Sequence, residues 1–391
     1  MNQANNPLPH ALRVAVLVDT ATTWGRGIIS GIHNYSQKHG GWHLFLEARG
    51  LEEDFLLPRG WHGDGIIARI GNVELAEHLR RRHIPVVNVS GIQLPTPEFP
   101  RVTNDVEGVA ELAVDYFLER GYKHFAYLSL RGLEYVARQR DAYQSAVARA
   151  GHHCSVKEVK VHGQFQSPDW NLKVEQLGSW LKSLPKPVAI LIWSGGREVI
   201  YACQQAGLRV PQEVSLLCGS EDELLCECSP VPISGVQAAC RKIGYEAAEY
   251  LGRLMRGEAQ TGGAKRIAPV GVITRQSTDT LAISDRALVD ALNFVQSKAR
   301  QPVNVSDVAR AAGVSRSAME RRFATHMGTS PAAHLRRTRL ETVRRLLAET
   351  ELSIADVAAG AGYCSPEYMT AVFRKATGTT PLRYRRELRR H

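Results

Sequence analysis

DVARAAG at residues 307–313 and DVAAGAG at residues 356–362 are one phrase written twice, 49 positions apart. A second phrase, GTSP at 328–331, returns as GTTP at 378–381, 50 positions apart, so the second unit carries one extra residue. In the first unit Val305, Val308, Ala309 and Ala312 make a stripe with small residues where two helices cross closely. Gly313 permits the turn, and Ser315 is a natural N-cap for the next helix. Met319 and Phe323, four apart, face inward, which leaves Arg316, Ser317, Glu320 and Arg321 on the open face. The second unit repeats the plan: Ile354, Val357, Ala358 and Ala361 form the stripe and Gly362 the turn. Ser365 caps, Pro366 suits the first helical position, and Met369, Val372 and Phe373 face inward. Glu367, Thr370, Ala371 and Arg374 point out. Between the units, residues 334–348 read as a helix with Leu340, Val343 and Leu347 inward. The spacing therefore predicts two helix-turn-helix units, at 305–326 and 354–376, in an all-α region spanning residues 283–391.

Charge follows the same division. The chain has 391 residues and a formal net charge of +10. Residues 287–391 hold 18 Lys and Arg against 9 Asp and Glu, whereas the other 286 residues hold 31 against 30. Nearly all the positive excess sits on the helix-turn-helix region, as phosphate neutralisation requires. Double-stranded DNA is the partner this predicts.

Upstream, apolar runs alternate with amphipathic stretches. Strands are predicted at 13–18 (RVAVLV), 65–68, 84–89, 125–128, 188–193 and 214–218. Helices are predicted from 27, at 74–82, 105–120, 141–150, 170–184, 198–206 and 241–256. Continuous apolar strands between helices imply mostly parallel sheets covered on both faces. Two such halves would enclose a ligand cleft at the carboxyl ends of the strands. The longest apolar runs are strand-length, so no membrane span is expected. Residues 1–11 lack a basic stretch feeding an apolar run and are expected to be a disordered N-terminus without a secretory signal, which points to the cytoplasm. The seven cysteines form no CxxC pair, so reduced thiols are expected rather than a metal site. No phosphate loop, dinucleotide fingerprint or nucleophile elbow is present, and Gly25 and Gly27 are read as easing a strand-to-helix turn. No catalytic constellation, metal or cofactor is predicted; the chain is not read as an enzyme.

Two families are resembled. Residues 363–385 run YCS, then Tyr368, FRK at 373–375, Gly378, Pro381 and YR at 384–385. They resemble the signature of the AraC/XylS regulators, which hold two helix-turn-helix subdomains on one linking helix and place both recognition helices in successive major grooves. By position, the base-reading residues of that family fall on Ser317, Glu320 and Arg321, and on Pro366, Glu367, Thr370 and Ala371. Residues 12–282 resemble the sensing domain of the LacI/GalR repressors, a two-lobed periplasmic-binding-protein-like α/β fold. The phrases that carry this are GDGIIA at 63–68, IPVV at 84–87, RGYKH at 120–124, GLRVPQEVS at 207–215 and Arg241-x-x-Gly244-x-x-Ala247. The segment at 274–281 also resembles the join in regulators that combine the two domains in this order.

The resemblance implies an effector-controlled transcription regulator, an activator of sugar-metabolism genes answering to xylose or a related sugar, dimeric through the sensor and in contact with RNA polymerase. It places effector contacts on Asp19, Trp24, Asp105 and Glu221, with Trp193 and Ser194 where relatives show an Asn/Asp-rich pair. An expected arginine falls on Gln139, flanked by Arg138 and Arg140. Two alternatives stay open: a sensor that has lost its ligand and serves for dimerisation, and a DNA-acting enzyme fused to an AraC-like module.

Overall fold

The structure, a computed structural model, describes residues 11–50, 56–95, 99–131, 134–160, 170–193, 196–258, 263–280, 285–350 and 352–389. Apart from Ala11, the expected disordered N-terminus lies outside these residues, as does Ser194.

The first lobe is a four-stranded parallel sheet in the order β2-β1-β3-β4: β1 (Arg13–Leu17), β2 (His43–Leu46), β3 (Gly65–Ala68) and β4 (Val86–Asn88). Helices α1 (Thr23–Lys38) and α2 (Val73–Arg80) connect these strands. The short β5 (Val102–Asn104) then leads into the second lobe. That lobe runs α3 (Val106–Leu118), β6 (His124–Arg131), α4 (Glu134–Arg149), β7 (Cys154–Lys160), α5 (Trp170–Ser183), β8 (Val188–Ile192), α6 (Arg197–Ala206), β9 (Val214–Cys218), α7 (Glu223–Glu227) and β10 (Ser234–Gln237). Its sheet has the order β12-β10-β9-β8-β6-β7, parallel except for the antiparallel β12 (Gly271–Ile273). The chain returns to the first lobe for α8 (Cys240–Met255) and for β11 (Lys265–Ile267), which pairs with β5, and then goes back to β12. Three passages thus join the lobes.

Helix α8 seats on α1 through glycines. A Cβ on Gly31 would stand 2.0 Å from the Arg241 carbonyl, and one on Gly244 would stand 2.0 Å from that of Ile28. The glycine in the Arg241-x-x-Gly244 phrase is thereby explained: two helix backbones touch.

The last seven helices are α9 (Arg286–Lys298), α10 (Val305–Ala311), α11 (Arg316–Met327), α12 (Pro331–Glu349), α13 (Ile354–Gly360), α14 (Pro366–Thr377) and α15 (Pro381–Arg389). They pack around two cores. One gathers Leu288, Leu292, Val295, Val308, Met319 and Phe323; the other gathers Val343, Leu347, Val357, Met369 and Phe373.

Several expectations are corrected. Helix α1 starts at Thr23, not 27, because Thr22 caps it by accepting from Gly25 N. Gly25 and Gly27 therefore lie inside a helix, and a Cβ on Gly25 would strike the Asp19 carbonyl. Helix α4 begins at Glu134, seven residues before the predicted start. Four of the seven cysteines are buried, while Cys228 and Cys364 are exposed. Among the described residues no helix is long and apolar enough to cross a membrane, and no group of His, Cys, Asp or Glu is placed to hold a metal ion.

Candidate nucleic-acid interface and effector cleft

Each recognition helix is fixed from beneath by apolar side chains and at its start by a cap. In the first unit, Gly313 takes a φ of 66°, and Ser315 Oγ accepts from Ala318 N at 3.2 Å. Met319 and Phe323 are fully buried, so Arg316, Ser317, Glu320 and Arg321 are presented together to solvent. Arg316 Nε lies 3.1 Å from Glu320 Oε1, which ties these two to each other. Arg321 makes no hydrogen bond or ion pair among the described residues and keeps its donors available.

In the second unit Ser365 Oγ accepts from Tyr368 N at 3.1 Å, and Pro366 takes the first helical position. Ser365 Oγ also donates to Glu367 Oε2 at 2.6 Å, which holds that carboxyl below its ordinary pKa. Glu367, Ala371 and Arg374 are exposed, while Pro366 and Thr370 are half-buried. Tyr368, part of the motif at 363–385, is 57% exposed on the same helix. A large, exposed aromatic on a recognition helix is a ready phosphate or base contact.

The two units are fastened to each other. Arg339, on α12, donates from Nε to Ala299 O (2.9 Å) and from Nη2 to Gln301 O (2.8 Å) and Val303 O (2.9 Å), serving the carbonyls after α9. Its guanidinium lies 5.8 Å from the ring of Tyr363 in the second unit. Gly362, at a φ of 77°, sits so close that a Cβ would meet Ala299 O at 2.1 Å. Sequence periodicity offers no signal for such a clasp, because Arg339 reads as one more outward arginine.

In the sensor, Asp19 follows the first strand and is fully buried. Its Oδ1 accepts from the Thr22 amide (3.1 Å) and hydroxyl (2.5 Å). Its Oδ2 has no hydrogen-bond partner among the described residues. A buried carboxylate oxygen left unpaired costs free energy, on the order of 1–3 kcal/mol, unless something accepts the role. Arg69, just past β3, brings Nη1 to 3.8 Å from that oxygen, beyond hydrogen-bond length, and lays its guanidinium 5.6 Å from the ring of Trp24. From the other lobe Tyr135 meets Trp193 edge to face at 5.2 Å, and the Arg69 charge acts on the Tyr135 hydroxyl, whose pKa burial raises. The lobes touch where the Thr23 amide donates to Asp222 Oδ2 (2.9 Å), the Gln93 amide to Glu134 Oε2 (3.2 Å) and Arg138 Nη1 to Gly91 O (3.3 Å). Asp105 caps α3 at the first passage, accepting from Gly108 N at 3.1 Å.

Asp19, Trp24, Arg138 and Trp193 therefore lie at or beside the place where the lobes face each other, the candidate cleft, and Arg69, Tyr135 and Asp222 join them unforeseen. Arg140 does not. Two residues along a helix turn the side chain by about 200°, so when Arg138 faces the first lobe Arg140 faces away, onto Asp141 (2.8 Å) and Glu158 (2.6 Å). Gln139 is fully buried and accepts from the Tyr127 hydroxyl at 2.9 Å. Glu221 is committed elsewhere: its Oε1 pairs with Arg275 Nη2 at 2.6 Å, where the chain leaves the sensor.

Comparison with known proteins finds similarity in each region. A model described as the XylR N-terminal domain matches residues 13–107, a periplasmic binding protein-like domain matches 114–278, and a helix-turn-helix domain matches 308–387. The xylose operon regulatory protein of Escherichia coli K12 is 29% identical over 387 residues, covering 95% of this chain and 96% of that protein. Its counterpart in Haemophilus influenzae is 27% identical over 383 residues, covering 95% and 98%. A solved structure titled as that of the xylose-binding transcription activator XylR superposes with a TM-score of 0.61 at 28% identity, covering 97% of this chain and 98% of that one. A cellobiose complex of the regulator CelR shares the sensor fold, with a TM-score of 0.53 at 21% identity, covering 69% of this chain and 86% of that one.

Proposed function

We infer that this chain, a XylR-like DNA-binding transcription regulator of the AraC type, is a homodimeric activator switched by a small polyol of the xylose class held between its sensor lobes. The observation that carries the effector reading is the pair formed by Asp19 Oδ2, buried and unpartnered, and the Arg69 guanidinium 3.8 Å away. A sugar hydroxyl is both donor and acceptor, so a single hydroxyl can give its proton to Asp19 and accept from Arg69. Trp24 and the Tyr135–Trp193 pair supply the apolar faces that C–H surfaces of a sugar need. The relatives named for xylose support that sugar as the first to test. Activation through contact with RNA polymerase, and dimerisation through the sensor, belong to the same reading.

Thermal unfolding of the full chain across pentoses, hexoses and sugar acids tests it. D-xylose at one hundred times its Kd would stabilise by about 2.7 kcal/mol. Asp19→Ala abolishes this shift, and Arg140→Ala leaves it in place. A screen in which no sugar moves the transition overturns the effector reading.

A further inference from the structure

We propose that helix α3 carries the state of the effector cleft to the DNA-binding region, and that Arg337 of α12 against Asp115 and Glu119 of α3 is the contact that transmits it. The proposal rests on the cleft reading above for its input and on the following geometry for its output.

Helix α3 begins at the first passage between the lobes and ends at the DNA-binding region. Asp105 caps its first turn at the passage between lobes, and its 13 residues span about 20 Å. Val109, Ala110, Ala113, Val114 and Phe117 are buried in the second lobe, so the helix moves as part of that lobe. At its far end stand Asp115 and Glu119, with no basic residue in the last turn. Acidic side chains at a helix C-terminus oppose the partial negative charge of the exposed carbonyls. The local choice is unfavourable by itself and calls for a cation from outside the helix. Arg337 supplies it: Nε pairs with Glu119 Oε1, and Nη2 lies 3.6 Å from Asp115 Oδ2.

The same end of α3 also holds the segment connecting the two regions. The Tyr116 hydroxyl sits 2.9 Å from Thr274 Oγ1 and 2.6 Å from Thr278 Oγ1. Arg120 lies over the Tyr116 ring at 3.5 Å and reaches Thr274 Oγ1 at 3.4 Å. Connector and linking helix are therefore both gripped by one helix end. Docking leaves Arg316, Ser317, Glu320, Arg321, Glu367, Ala371 and Arg374 exposed. The docked arrangement does not cover the reading faces; it restricts their orientation, and so favours binding at a fixed geometry.

The test uses the full chain and duplexes that the unmodified protein selects from a random library, first without sugar. Arg337→Glu lowers affinity about tenfold, and Glu119→Arg, on the sensor, does the same. The double exchange restores affinity to within about threefold. Wild-type affinity in Glu119→Arg overturns the proposal. So does a double exchange that binds as weakly as Arg337→Glu, because Arg337 then acts on DNA directly. With D-xylose added, each single variant keeps its sugar-induced thermal shift but loses the sugar-induced change in DNA affinity. If the exchange pattern holds while xylose alters nothing in the unmodified protein, the contact stands and the cleft reading falls; if single variants retain the sugar response, transmission runs elsewhere.

Discussion

Arg321 and Arg374 stand on corresponding recognition helices, are both exposed, and are expected to do different work. Arg321 has unused donors in the second turn of α11, and its planar guanidinium matches the O6 and N7 acceptors of guanine. Arg374 lies toward the end of α14, while Ala371, nearer the leading end, offers no donor at all. Arg321→Ala is expected to cost about 1–3 kcal/mol and to relax preference at one base step, whereas Arg374→Ala weakens all sequences alike and lowers the salt slope by about 1. Binding-site selection with both variants decides between these roles, and reversed outcomes would exchange them. Residues of this kind were legible in advance because helical period alone sorts inward from outward. Arg69 and Tyr135 were not. Arg69 lies just outside a regular element, after β3, and Tyr135 sits in the first turn of a helix that begins earlier than its composition suggests. Glu221 shows the reverse failure: a position carried over from relatives is occupied, but Arg275 has taken its carboxylate.

At the scale of elements, α3 and α12 place two titratable groups in opposition. Burial pushes the Glu119 carboxyl from its ordinary 4.5 to about 7, against the pull of Arg337. Burial, with the nearby charges of Arg337 and Arg120, lowers His334 from 6.5 to about 4. Asp115, Glu341, Arg120 and Arg337 are the other charges facing this contact. Between pH 4.5 and 7 the docked state keeps a proton on Glu119 that an exposed glutamate would release, so this group disfavours docking as pH rises. Between pH 6.5 and 4 a released His334 takes up a proton that the docked one refuses, so this group disfavours docking as pH falls. The two act in opposite directions across the shared window. Glu119→Gln should therefore reveal a stability that falls, relative to the unmodified protein, as pH drops from 6.5 toward 4. Replacing His334 by Gln should reveal one that falls as pH rises from 4.5 toward 7. Thermal melts across this range read both, and parallel curves for all three proteins would remove the opposition.

For the whole molecule, the parallel α/β sensor and the helical region were readable because central strands such as Val188–Ile192 are wholly apolar and because the helix-turn-helix phrase repeats. Several shorter or less apolar strands escaped. His43–Leu46 and Cys154–Lys160 are partly exposed and mix apolar with charged or polar residues, and Val102–Asn104 and Lys265–Ile267 are only three residues long. Their pairing is set by tertiary partners rather than by local pattern. Also invisible to local pattern was the docking of α12 on α3, which joins residues more than two hundred positions apart. The segregated charge gives a test at this scale. A fragment covering residues 283–391 contains both helical cores entire and is expected to fold and to bind DNA with an affinity that falls steeply with salt. An absent or salt-independent mobility shift would contradict it.

The Arg339 clasp and the Gly362 seat turn the helical region into a caliper. Because three backbone carbonyls and a glycine without side-chain clearance hold its jaws, their opening is not adjustable by rotation of one or two bonds. Any mismatch between that opening and the pitch of the duplex must then be absorbed by the nucleic acid, through twist, roll or a kink in the base pairs lying between the two contacts. Such distortion costs least at flexible pyrimidine–purine steps and most in stiff tracts. Base pairs that no side chain reaches are consequently expected to enter the recognition code, as a mechanical property of the spacer.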